Sequence, residues 1–148
     1  MTTDGATPIL IAAQNNHVEV VKVLASAGAS LDQAMTTDGC TPILIAAQNN
    51  HVEVVKVLAS AGASLNQALT TGGATPLIVA AFRAHVEMVK VLLAAGVDLR
   101  HVNNNGYTAL DAAKKAKKKL KEDDKEGRRK FDEVIALLEQ KIPATAAS

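Results

Sequence analysis

The chain has 148 residues, enough for one sizeable core and short for two domains. At 48% hydrophobic and 21% charged it lies outside the disordered class, and with 2% aromatics its core must be assembled from small aliphatic contacts. The formal charge of +1 hides three blocks: −3 over residues 1–113, +6 over 114–130 and −2 over 131–148.

Cys40 is the single cysteine, so no disulfide framework forms within one chain, which fits a reducing compartment. No apolar run approaches roughly 18 residues, so no membrane span is expected. Met1-Thr2-Thr3-Asp4-Gly5 lacks the basic start and apolar stretch of a secretion signal. These features together point to a cytoplasmic, intracellular location.

The chain repeats itself. Residues 2–35 and 36–69 differ only at Ala6/Cys40, Asp32/Asn66 and Met35/Leu69. Residues 70–102 keep the frame, and 103–142 form a fourth, altered unit, followed by a tail at 143–148. One domain of four repeats therefore fills the chain.

In each unit Asp4-Gly5 and its equivalents signal a turn, because Gly accepts positive φ and Asp bonds its own backbone. Thr7-Pro8 predicts a helix start, with Thr as cap and Pro at the first helical position. The helix runs roughly from Pro8 to Asn15, and Asn16 stops it by tolerating the left-handed conformation. A second helix begins near His17-Val18, with Glu19 where the helix dipole favours an anion and Val20, Val21 and Leu24 as apolar stripe. Gly28 ends it. Residues 29–35 return as an extended loop. Such a helix pair cannot bury its apolar faces alone, but stacked on a copy of itself it can.

The fourth unit is interrupted. Thr7 to Glu19 spans 12 residues and Thr108 to Glu133 spans 25, an insertion of about 13 within the charged segment 114–130. Its Lys, Ala, Leu and Glu favour helix, so the first helix of this unit is expected to run on, with Gly127 as a break or turn before the final helix. Phe131, Val134, Ile135, Leu137 and Leu138 supply that helix's apolar stripe. The result is a charged, extended C-terminal hairpin that caps the array. At the other end Met1-Thr2-Thr3 aligns with Met35-Thr36-Thr37, an interior phase of the repeat. Apolar surface around Ile9, Ile11 and Val18 is then expected to lie uncovered, as in a fragment of a longer array or a chain that self-associates through this unit.

Asp4-Gly5-Ala6-Thr7-Pro8-Ile9, followed by Ala12-Ala13, by His17-Val18-Glu19-Val20-Val21 and by the closing Gly28-Ala29, resembles the ankyrin repeat pattern Asp-Gly-x-Thr-Pro-Leu…Ala-Ala…His-x-Glu-Val-Val…Gly-Ala, and the other three units match it in the same frame. The resemblance implies an all-α solenoid of stacked helix-turn-helix units with projecting turns. It also implies a non-catalytic module for protein–protein interaction, a scaffold whose partner is a protein or peptide. The near-identity of the first two units equally fits an engineered, consensus-like array, although Phe82, Arg83 and the insertion are irregularities that a designer would remove. Two departures concern turn geometry. The family's His after Thr-Pro-Leu is Leu10, Leu44, Ile78 and Asp111 here, and its inter-helix Gly is Asn16, Asn50 and Ala84.

No Gly-rich phosphate loop, metal cluster or nucleophile–base pair is visible, so no catalytic residue, metal or cofactor is assigned. His17, His51 and His85 recur with the period and read as helix-start residues rather than ligands. Cys40 has no base to activate it and reads as an exposed, ordinary thiol. The Lys114–Lys130 segment could serve an electrostatic adaptor for a polyanion, but it has no aromatic to stack on bases and carries four acids of its own, so nucleic acid is disfavoured. Asn66 after Leu65 resembles sites in ankyrin arrays that asparaginyl hydroxylases modify.

In proteins that resemble this chain, turn tips and first-helix ends line the concave side. Carried over residue by residue, these are Thr3, Asp4, Ala6, Gln14 and Asn15 in the first unit, and Thr37, Asp38, Cys40, Gln48 and Asn49 in the second. The third contributes Thr71, Gly72, Ala74, Phe82 and Arg83, with Arg100 in the next loop, and the fourth Asn104, Asn105, Tyr107 and Lys115. Gln-Asn in the first two units becomes Phe82-Arg83 in the third, which directs recognition toward units three and four, since aromatics and Arg carry most hot-spot energy.

Overall fold

A computed structural model describes residues 4–142. Thr3 and the tail 143–148 lie outside the described residues. Eight helices pair in order: α1 (Pro8–Gln14) with α2 (Val18–Ser26), α3 (Pro42–Gln48) with α4 (Val52–Ser60), α5 (Pro76–Phe82) with α6 (Val86–Ala94), and α7 (Ala109–Lys118) with α8 (Lys125–Lys141). First helices stack on first helices and second helices on second, giving two layers joined by projecting loops. The described residues contain no strand.

Local chemistry explains the repetition. Thr7, Thr41, Thr75 and Thr108 each cap a first helix through the side-chain oxygen, and Pro follows directly in the first three. Asp111 completes a reciprocal capping box with Thr108 in the fourth. Asn16 and Asn50 stand at φ 60°, and Ala84 is held at φ 55° with only a methyl group to offer.

Burial follows stacking rather than sequence. Val54 and Met88 are fully buried, whereas Val20, at the same position of the repeat, is 47% exposed. Ile11 and Val23 of the first unit are exposed too, while Ile45 and Val57 are partly covered by the preceding unit. Ile9, expected to lie uncovered, is instead buried in the core; Val18 is half-buried.

Polar zippers hold the projecting loops in register. The Thr36, Thr70 and Asn104 amides donate to the carbonyls of Asp4, Asp38 and Gly72 one unit earlier, at 2.8, 2.8 and 2.9 Å. The backbones approach so closely that a Cβ on Gly39 would stand 2.8 Å from the Thr70 amide nitrogen, at a φ of 78°. A second seam runs through the return loops, where Asp32 accepts from the Ser64 amide and Asn66 from the Asp98 amide. His51 and His85 bond carbonyls of the preceding first helix, those of Gln14 and Ala47, so the periodic histidines join units. Burial holds the His85 imidazole below its ordinary pKa.

The C-terminal hairpin has the expected extended helices, with α7 of 10 residues and α8 of 17. Gly127 is not a break. It sits in the first turn of α8, which Asp124 begins by accepting the Gly127 amide at 2.9 Å. A Cβ on Gly127 would come within 2.6 Å of that carboxylate, so the glycine makes room for the cap. Phe131, Val134 and Leu138 of α8 complete the core, and Lys117 pairs with Asp132 across the hairpin.

Candidate partner-binding cleft

The residue seven positions after each capping Thr changes along the array: Gln14, Gln48 and Phe82, which end α1, α3 and α5, and Lys115 inside the longer α7. The first two are amides. The third puts an aromatic ring, 54% exposed, on the surface of a protein with two phenylalanines. Around it a cleft of about 310 Å³ opens between units, with Leu69, Ala74, Ile78, Val79 and Ala112 as its apolar floor. Gln48, Arg83, Asn103, Asn105, Tyr107, Lys115 and Lys119 form the rest of the wall. All of these belong to first helices, their caps and the projecting loops; none comes from α2, α4, α6 or α8.

Tyr107 is fixed in place. The Asn103 carboxamide accepts from the Asn105 and Tyr107 amides, shaping the loop, and the Lys115 ammonium donates to the Tyr107 hydroxyl at 2.7 Å. That ammonium also stands 4.7 Å from the ring centroid, a cation–π contact worth about 0.5–1 kcal/mol at an exposed site. The ring is therefore held without being buried.

Of the residues singled out by sequence, Gln48, Phe82, Arg83, Asn105, Tyr107 and Lys115 line this one cleft. The others do not. Asp38 accepts from the Cys40 amide and so shapes its own turn, and Asn49 reaches back to the Gln14 carbonyl. Thr37, Thr71, Arg100 and Asn104 are exposed on the loops, outside the cleft. Lys119 and the floor residue Leu69 were not anticipated. Lys119 follows the C-terminal end of the lengthened α7, and Leu69 lies just before the turn of the third unit, places that reading units singly does not bring together.

Cys40 is a correction. It is buried, 3% exposed, and Ala6 is buried as well. The neighbouring loop covers this position, and desolvation, with the Asp38 carboxylate adding to it, pushes the Cys40 thiol up to about 11. A buried thiol with so high a pKa is an inert core residue, and neither side chain belongs to a binding surface.

At about 310 Å³ the cleft lies at the low end of ligand-pocket volumes (about 300–1,000 Å³). Among the described residues no three His, Cys, Asp or Glu side chains gather as a metal site, and no helix is long and apolar enough to cross a membrane.

Comparison with known families agrees with this architecture. Residues 1–69 match the family described as "Ankyrin repeats (3 copies)", and residues 58–113 match "Ankyrin repeats (many copies)". No curated protein matches the chain. Ankyrin repeats are generally protein–protein interaction modules and are typically non-catalytic. With two overlapping matches across residues 1–113, the chain belongs to the ankyrin-repeat family.

Proposed function

We propose that this protein is a non-catalytic interaction module that binds a partner protein or peptide along the first-helix side of units three and four. The observation that carries this reading is Phe82: an aromatic ring left more than half exposed on an apolar floor, beside Arg83 and a fixed Tyr107. Burying such a ring is a large source of binding energy, and Phe, Tyr and Arg beside a pocket match the composition of interface cores. Gln48, Asn105 and Lys115 supply polar contacts within the cleft, while Thr37, Asp38, Asn49, Thr71, Arg100 and Asn104 form a polar margin along the loop edge.

A polyanion site on Lys114–Lys130 draws less support. Lys114 pairs with Glu139, Lys117 with Asp132 and Arg129 with Glu126, so part of the segment's charge is engaged within the hairpin.

The test is quantitative pull-down of binding partners by this chain and by a Phe82→Ala/Arg83→Ala variant. Truncating one such anchor should cost about 2 kcal/mol, roughly a 30-fold loss of affinity, without lowering the melting temperature appreciably. Equal capture by both proteins, or a large loss of stability in the variant, would contradict the reading.

A further inference from the structure

The partner's chemistry can be narrowed, on the premise that the cleft is the binding site. The cleft wall holds three cationic side chains, Arg83, Lys115 and Lys119, and no carboxylate. None of the three forms an ion pair with a described residue; Lys115 bonds the neutral Tyr107 hydroxyl. The turn position that carries an acid in the first two units, Asp4 and Asp38, is Gly72 in the third and Asn105 in the fourth. The acids disappear along the array just where the cations and the aromatic ring enter. The nearest acid on α7, Asp111, is occupied by the capping box with Thr108.

Unpaired like charges around an apolar floor repel one another and gain when a partner brings the opposite sign. We propose that the cleft takes an acidic peptide segment, one apolar side chain seated against Phe82 with flanking Asp or Glu side chains reaching Arg83, Lys115 and Lys119. A phosphate polyanion would satisfy the cations but leave the apolar floor and the Phe82 ring uncovered, so a peptide fits more of what the cleft offers.

The experiment is selection of a random dodecapeptide display library on the full chain, followed by fluorescence anisotropy with the enriched peptides. Enriched sequences should be net acidic around a single apolar residue. Their affinity should fall at least about tenfold with Arg83→Glu/Lys119→Glu, and also fall as salt is raised on the unaltered chain. Enriched peptides that are neutral or basic, yet lose binding on Phe82→Ala, would overturn the acidic assignment and leave the cleft as the binding site. Oligo-dT that competes with the peptides and binds the Phe82→Ala variant undiminished would overturn it in favour of a polyanion. Failure to enrich any peptide, or binding indifferent to Phe82→Ala, would count against the cleft itself. Circular dichroism melts of each variant establish that the fold is retained.

Discussion

Val20 and Val54 occupy the same position of two units whose sequences are otherwise nearly identical, yet one is 47% exposed and the other fully buried. Replacing each by Ala therefore isolates what stacking contributes. At Val54 the change removes two methyl groups from the core, about 1.6 kcal/mol at roughly 0.8 kcal/mol per buried group, and a cavity term adds to it. At Val20 only about half of that transfer energy is at stake and no enclosed cavity forms. Ala favours helix over Val by about 0.5 kcal/mol at both positions, so this contribution cancels in the difference. Val54→Ala should thus cost at least about 0.8 kcal/mol more than Val20→Ala, the cavity term widening the gap, while Val20→Ala itself stays within about 0.5 kcal/mol of zero. Urea unfolding followed by far-ultraviolet circular dichroism measures both, and an unchanged m-value shows that the two variants share a cooperative transition. Equal costs at the two sites would refute the stacking explanation of burial.

Three further outcomes are expected. Ala84→Gly should raise stability by about 1 kcal/mol in the same urea assay, because the φ of 55° strains an L side chain; destabilisation would show that the methyl group's packing outweighs the strain. Gly39→Ala should lower the thermal midpoint, since the added Cβ meets the Thr70 backbone at 2.8 Å, whereas the same change at Gly28, which has no neighbour within 4 Å of an added Cβ, should cost only its positive-φ strain. Cys40 should react slowly with a thiol reagent at pH 8 and quickly once urea unfolds the chain. Its folded pKa of about 11 exceeds the ordinary thiol value of 9.0, so its contribution to stability is complete below pH 9 and is lost as pH rises toward 11; a Cys40→Ala variant should lack that loss.

Helix placement was legible because each signal is local. Thr7-Pro8 and its copies mark starts through a side-chain cap and a preset φ, and α1 indeed begins at Pro8. Asn16 and its equivalents mark ends by tolerating a positive φ. What could not be read was whatever depends on a neighbouring unit. Cys40 looks exposed beside its turn glycine until the next loop closes over it, and Val54 reads like Val20 until α4 stacks against α2. Gly127 reads as a breaker by composition alone. The deciding partner is Asp124, whose carboxylate needs the space that a Cβ would fill.

The cleft shows the same division. Phe82 and Arg83 stood out as a break in a repeating Gln-Asn, and Tyr107 as an aromatic in a chain with few. Lys119 did not, because its place beside Phe82 depends on how far α7 extends beyond the usual helix length.

The central claim is that recognition occurs in this cleft, and NMR chemical-shift mapping with a bound peptide or partner tests it most directly. Perturbed amides should cluster on Gln48, Phe82, Arg83, Asn105, Tyr107 and Lys115, with α2, α4 and α6 unaffected. Shifts concentrated instead on those second helices, or along the α7–α8 hairpin away from Tyr107, would contradict it.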